Sequence, residues 1–531
     1  MKASVVFRAV ATSWMAVIAN AAVGFALTPF VLHRIGDEAF GLWVLITSVV
    51  GYYGILDIGI RSSILRYVSR YEALGDHELV NEVVSTAFYY YLAACVLLIL
   101  ATYLTVPWVA VCFSVPATLL ADFKALFLLA GVVQGVSLPL IVFAASLEAA
   151  GRYDQANISA VACLVLRVFL VVWVLYAGGG FYGVGAVTLL SQTLVYVIQV
   201  PLAIRAHPGL SIRPHWIRRA VFRDMFRYGS VSLAVGIADK LRERLYPILI
   251  AIFLTPIDVT VFSLPMRIMA FPVHGVGAMT EIVNPLSSQL EARNDYARLR
   301  QLILLSVQSA FLTLLPLAAF LFVFGRELLT LWVGAQYATA YPLLVLITLG
   351  MGAAATQCCL QSMLFGIERH KELIVFRLLE SVSVALVGGV ALRLWGLEGF
   401  AAVLALTLVF TSFVLVPRHL CKILGLSLRQ YLVQGCFKPL LITLPAAAIF
   451  VAWRHTSVVD TWAGMVAAVV AGGLVYIVTL VLVTLSNSPI AQRWLQLGAL
   501  QVLARRFLPA CAPLPASATP SLASEEQFVD L

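Results

Sequence analysis

The sequence predicts an all-α polytopic membrane protein of about fourteen transmembrane helices: two six-helix lobes in parallel repeat around a central cavity, plus two C-terminal helices. Three observations lead there. Hydrophobic residues make up 62% of the 531-residue chain and charged residues only 11%, against roughly 25% in soluble domains, so the chain cannot cover itself with an ordinary aqueous surface. Apolar windows of bilayer-crossing length, about 20 residues, recur along nearly the whole chain. Lys and Arg gather in alternate connections between those windows.

The windows fall at 11–32, 40–60, 83–108, 124–147, 156–178, 181–204, 228–254, 258–284, 303–324, 340–365, 373–395, 397–417, 435–454 and 462–485. The first follows Met1, Lys2 and Arg8 and exceeds the apolar core of a cleaved leader, so it is expected to act as its own insertion signal. The seventh departs from the pattern, with Asp239, Lys240, Arg242, Glu243 and Arg244 at its centre. A charge at that depth costs about 2.5–3.5 kcal/mol, so this helix needs partners or a wet cavity. The eight cysteines form no CxxC pair and most lie in apolar runs, where they read as small buried hydrophobes.

With the N-terminus inside, the even loops and both termini hold about 24 of the 35 Lys and Arg residues, which places both ends in the cytoplasm. The formal charge of +9 follows from that bias and from attraction to anionic lipid headgroups, so no nucleic acid is needed to explain it. An internal duplication is also visible. Glu72-Ala73-Leu74-Gly75-Asp76 follows helix two and Glu291-Ala292-Arg293-Asn294-Asp295 follows helix eight, while Arg152 and Arg369 stand after helices four and ten at nearly the same offset. Six helices per repeat is an even number, so the halves are expected to enter the membrane in the same direction. The chain then divides into an N-terminal lobe (1–215), a C-terminal lobe (216–425), helices thirteen and fourteen (426–486) and a cytoplasmic tail (487–531). In that tail 489–508 reads as an interfacial amphipathic helix and the Pro-, Ala- and Ser-rich remainder as disordered.

Several stretches resemble the polysaccharide-transport flippases of the multidrug/oligosaccharidyl-lipid/polysaccharide exporter superfamily. They are Asn20 to Phe25, Pro29 to Gly36, Ala39 to Leu42, Leu56 to Ile60 with Arg66-Tyr67, Asn284-Pro285, Leu331-Trp332-Val333-Gly334-Ala335-Gln336-Tyr337 and Gly396-Leu397-Glu398-Gly399. The resemblance covers about residues 10–420. It implies a central cavity lined by helices one, two, seven and eight, and alternating access that moves an undecaprenyl-diphosphate-linked oligosaccharide to the outer leaflet. Beside membrane lipid and the lipid-linked oligosaccharide, a coupling ion (proton or sodium) and a polysaccharide polymerase are the candidate partners, and the sequence leaves both open. Asp239 matches the family's acidic position on helix seven, and the four charges after it make this helix more charged than the pattern.

No phosphate-binding P-loop, zinc-protease, serine-hydrolase or dinucleotide motif is present in the sequence, and no cofactor or metal is expected. A sugar diphosphate lipid crossing the hydrocarbon needs fixed cations to replace phosphate hydration, with Arg preferred for its forked donors. Cations at membrane depth are Arg167, Lys240, Arg242, Arg244, Arg267 and Arg377. Lys240 and Arg244 share a helix face, and a neutralised cluster with Asp239 and Glu243 is the structural alternative. Arg267 sits between Pro265 and Pro272 on a helix expected to bend around a cavity. Arg377, one turn from the cytoplasmic end, is expected to snorkel. Candidates for coupling or gating are Asn20, Asp57, Asp239 and Glu281, with Asp57 four residues before Arg61 and open to a salt bridge. Two rivals stand beside the flippase reading. One is a multidrug/cation antiporter on the same fold, and the other a polytopic membrane glycosyltransferase or ligase.

Overall fold

A computed structural model describes residues 3–57, 59–280, 282–367, 369, 371–455 and 460–486, leaving some side chains within 3–11, 228–243 and 278–279, and those of 371 and 484–486, undescribed. Every regular element among them is helical. The first seven helices are α1 (Ala3–Ile35), α2 (Asp37–Gly51), α3 (Ile60–Ala73), α4 (His77–Cys112), α5 (Leu120–Ala149), α6 (Tyr153–Tyr176) and α7 (Gly180–Ala206). There follow α8 (Arg219–Phe253), α9 (Pro256–Thr280), α10 (Val283–Ala292), α11 (Tyr296–Val333), α12 (Tyr341–Thr356), α13 (Cys358–Gly366) and α14 (Lys371–Ser383). The chain continues through α15 (Gly389–Phe410), α16 (Val416–Leu424), the single turn α17 (Leu428–Gln430), α18 (Lys438–Arg454) and α19 (Trp462–Ser486).

Twelve helical stretches among the described residues are long and apolar enough to cross a membrane. Two features reconcile that number with fourteen windows. Glu372–Leu424 is 53 residues long, far beyond one crossing, and it breaks at Gly396, whose φ of 61° and ψ of −150° no helix contains. The seventh window became α8, long enough but too charged to qualify by hydropathy. The outward faces are those of a membrane protein: Phe169 and Leu406 are each 69% exposed, and only lipid makes such surfaces favourable. The second window ends early. Its α-helix stops at Gly51 and gives way to a 3-10 segment, Tyr52–Asp57, and Gly59 in the left-handed region (φ 67°) turns the chain into the separate α3.

The duplicated loops fold alike, bond for bond. Gly75 (φ 71°) and Asn294 (φ 54°) both take the left-handed turn position. The next residue closes the turn in both: Asp76 N–H donates to the Tyr71 carbonyl (3.0 Å) and Asp295 N–H to the Leu290 carbonyl (2.9 Å). Each aspartate then caps the following helix, Asp76 accepting from Leu79 N–H and Asp295 from Arg298 N–H at 3.0 Å. Glycine and asparagine tolerate positive φ, and aspartate is a preferred N-cap, so both motifs encode the same stop and restart. Replacing either Asp76 or Asp295 by Ala should cost about 1 kcal/mol of stability, read as a lowered thermal midpoint of the detergent-purified protein.

By packing, residues 1–473 form one unit, and a second unit begins at Leu474, of which the described part continues α19 to Ser486. In the first unit α4, α5, α6 and α7 pack on one another, and α1 lies on α6. Helix α2 packs against α9, and α11, α12, α15 and α18 build a further layer. Of the seven cysteines in described residues, none is in a disulfide; Cys112, expected buried, is exposed because it ends α4 facing outward. The amphipathic segment expected at 489–508 lies outside the described residues.

Candidate functional site

Five cations were expected to share one cavity; the structure brings two of them together. Arg167, from the middle of α6, and Arg267, from α9, line one cavity of about 150 Å³ with Gly24 and Thr28 of α1 and Phe40 and Trp43 of α2. Helix α9 contains both Pro265 and Pro272 and runs continuously through them, with Arg267 on its cavity side. Gly24 and Thr28 keep the facing side of α1 small, and the Thr28 hydroxyl donates to the Gly24 carbonyl (2.6 Å), which leaves its lone pairs toward the arginine.

Arg267 Nη1 donates to Thr28 Oγ1 at 3.2 Å, and its guanidinium carbon lies 5.0 Å from the centroid of the Phe40 ring. One hydroxyl and one ring face use a small part of five donors and a full charge. Among the described residues no carboxylate pairs with Arg267 or Arg167, and no Asp or Glu lines the cavity. A cation at membrane depth without a counter-charge is costly, so an anion entering here gains charge-assisted hydrogen bonds.

The other predicted residues lie apart from this cavity. Lys240 and Arg244 share a face as expected, and they lie over the start of the 3-10 segment. A Cβ added at Gly54 would fall 2.2 Å from Lys240 Nζ, and one at Gly51 2.6 Å from Arg244 Nε. The side chains of Asp239, Arg242 and Glu243 fall outside the described residues, as does the whole of Glu281. Asn20 lines a neighbouring cavity, and its amide is bonded back to the Ala16 carbonyl at 2.9 Å. Asp57 does not pair with the Arg61 guanidinium, which bonds Glu148 of α5 at 2.6 Å. Asp57 instead caps α3 through Arg61 N–H (3.1 Å) and accepts from the Tyr91 hydroxyl. Burial is the largest single influence and works against the Arg61 charge, but Glu148, Tyr196 and Asp57 together outweigh it and hold the guanidinium pKa above its ordinary value.

Arg377 corrects another expectation. It does not snorkel: it is 8% exposed, bonded to Glu380 (3.0 Å) and to Gln361 (2.6 Å), while Glu380 accepts from Thr411 at 2.5 Å. Partners from three elements outweigh the pull of the nearby interface. Glu380→Ala should destabilise the protein by about 3–5 kcal/mol, because it strands a buried cation, whereas Arg377→Met with Glu380→Leu should recover most of that; thermal unfolding in detergent distinguishes the two.

Sequence reasoning also missed a junction at the other end of α1 and α2. The Tyr337 hydroxyl donates to Asp37, and Thr260 Oγ1 donates to the Asp37 carbonyl (2.6 Å). Trp332 donates its indole N–H to the Phe25 carbonyl (2.8 Å), with the two rings stacked at 4.8 Å. Helices α1 and α2 are thus pinned to α9 and to the end of α11.

Comparison with known proteins bears on this arrangement. Residues 31–342 match the polysaccharide biosynthesis protein family. Over 467 residues the chain is 23% identical to the uncharacterized membrane protein EpsK of Bacillus subtilis, covering 85% of this chain and 90% of EpsK. Its fold is similar to that of the lipid II flippase MurJ in an inward closed conformation, with TM-score 0.65 and 12% identity over 89% of this chain and 97% of MurJ. It is also similar to an inward-facing multidrug resistance transporter of the MATE family in the MOP superfamily, with TM-score 0.64 and 15% identity over 77% and 95% of the two chains. At such identities the likeness shows a shared fold and does not choose between the two cargoes.

Proposed function

The chain belongs to the polysaccharide biosynthesis protein family, and from that premise we propose that it is a flippase. It carries an undecaprenyl-diphosphate-linked oligosaccharide, a precursor of O-antigen, capsule or exopolysaccharide, from the inner to the outer leaflet by alternating access. The observation that carries this reading is the cavity in which Arg167 and Arg267 stand without a carboxylate among the described residues. Two guanidinium groups facing one small space suit a diphosphate, each offering parallel N–H donors to phosphate oxygens.

The same feature disfavours a cationic-drug antiporter, since two arginines would repel such a cargo and no acidic residue among those described lines the cavity to attract it. The two six-helix lobes rock about this site, with the duplicated loops as corresponding points in each. Both termini lie in the cytoplasm of a prokaryotic cell, the chain spans its plasma membrane, and the cytoplasmic arginines hold that orientation. With no nucleotide-binding motif in the sequence, the driving force comes from an ion or substrate gradient, and the product passes to a polymerising partner.

Deleting the gene should strand the complete lipid-linked oligosaccharide on the cytoplasmic leaflet while the glycosyltransferases stay active and the surface glycan disappears. Normal surface glycan with no stranded intermediate would overturn the reading.

A further inference from the structure

The connection from α7 to α8, residues 207–218, is held more firmly than a loop between two spans needs to be, and the first turns of α4 supply the hold. The Asn81 amide donates to the Gly209 carbonyl (3.1 Å), and its oxygen accepts from Ser211 N–H (2.8 Å). Ser85 Oγ accepts from Arg213 N–H (3.3 Å) and Thr86 Oγ1 from Arg218 N–H (3.2 Å). The start of α8 is fastened as well, since the Ser63 hydroxyl of α3 donates to the Met225 carbonyl at 2.9 Å. A backbone pinned at these points displays its side chains in fixed places.

What it displays is cationic. Residues 207–227 hold five arginines against one carboxylate, Asp224. Arg219, Arg223 and Arg227 recur at every fourth position, which lines them along one face of α8 over about 12 Å. They are exposed, as is Arg213. Arg218 is paired with Glu82 (2.7 Å), whereas among the described residues no carboxylate pairs with Arg213, Arg219 or Arg223. Ile217 and Phe226 stand exposed among these cations. Helix α8 has 35 residues, a length of about 50 Å against about 30 Å of hydrocarbon. Its apolar stretch, Arg244–Phe253, is at the far end, so the arginine row falls at the level of the headgroups.

A positive-inside bias needs charge alone, without a pinned backbone, a regular row or apolar neighbours. We infer that this face is a binding site for anionic phospholipid headgroups. Their phosphates bridge the arginine row while Ile217 and Phe226 enter the acyl boundary. The site goes beyond the flippase reading and does not depend on the cargo. It lies where the chain passes from one proposed lobe to the other, so bound lipid holds that crossing at the membrane surface.

For the test, full-length protein is exchanged into a neutral detergent containing equal amounts of phosphatidylglycerol and phosphatidylcholine with the same acyl chains. The lipid it retains is then counted by mass spectrometry. Phosphatidylglycerol should be retained at least about tenfold over phosphatidylcholine, given roughly fivefold for each arginine beside an anionic headgroup. Arg213→Gln with Arg219→Gln and Arg223→Gln should bring the two lipids near equality with an unchanged thermal midpoint, since all three side chains are exposed. Arg293→Gln with Lys422→Gln and Arg429→Gln removes the same charge from exposed positions elsewhere and should keep the preference. An equal loss in both variants would reduce the surface to bulk charge and overturn the inference. Equal retention of both lipids by the unmodified protein would also overturn it. Capture of a soluble polyglutamate peptide by that protein, and not by the first variant, would then assign the face to an acidic protein.

Discussion

Replacing Arg267 by Ala is expected to reduce flipping at least about tenfold without loss of membrane insertion. The magnitude follows from what the side chain is free to do. It spends one hydrogen bond on Thr28 and one ring contact on Phe40, so most of its donors remain for a phosphate. Hydrogen bonds to charged groups contribute about 1.5–3 kcal/mol, which corresponds to roughly ten- to hundredfold. The structural alternative, a cation held in place for packing, predicts the opposite pattern of stability. Removing one partner of a buried ion pair destabilises, whereas removing a cation that has no carboxylate partner relieves a desolvation cost. Arg267→Ala should therefore leave the thermal midpoint unchanged or raised while transport falls. Arg267→Lys keeps the charge and loses the fork, and should recover only part of the rate. The measurement is the appearance of lipid-linked oligosaccharide at the outer surface, normalised to protein in the membrane. A full rate for the alanine variant would return Arg267 to a packing role.

How much of this was legible in the sequence depends on whether the signal is local. Helix existence was legible because bilayer length and apolarity act within one window, and the paired turns at Asp76 and Asp295 were legible because a cap and a left-handed residue are encoded within five positions. Arg167 and Arg267 were visible as isolated charges in apolar runs. That they share a cavity, while Lys240 and Arg244 do not join it, depends on how four separate helices turn their faces, which no single window contains. The same holds for Arg377: its depth suggests an escape to the interface, whereas its partner Gln361 lies 16 positions away and Thr411, which bonds its other partner Glu380, lies 31 positions beyond that glutamate. The stretch from Leu331 to Tyr337 was noted only for its resemblance, and in the structure its aromatic residues fasten α1 and α2.

That junction supports the second large prediction. Gly41→Ala should halt transport by preventing the protein from closing at the end where α2 meets α9. A Cβ at this position would stand 1.9 Å from the Pro256 carbonyl oxygen and 2.7 Å from its carbon. The obstruction is backbone, so no rotamer change relieves it, and α2 must move away from α9. The same movement separates Asp37 from Thr260 and Tyr337 and pulls Phe25 from Trp332, so the contacts at this end are lost together. Overpacking of this kind costs about 1–3 kcal/mol, enough to shift an equilibrium between two conformations by roughly ten- to hundredfold toward the one open at this end. Alternating access needs both conformations, so the population shift becomes a loss of turnover. Tyr337→Phe removes one hydrogen bond and leaves the packing intact, and should slow transport only a few-fold. Thiol labelling reports the conformation directly. Thr260 is fully buried, so a cysteine placed there, in a chain whose native cysteines are replaced, should be shielded when Gly41 is kept and labelled in the Gly41→Ala variant. A shielded thiol and an ordinary transport rate in the alanine variant would show that the contact of α2 with α9 does not open during the cycle.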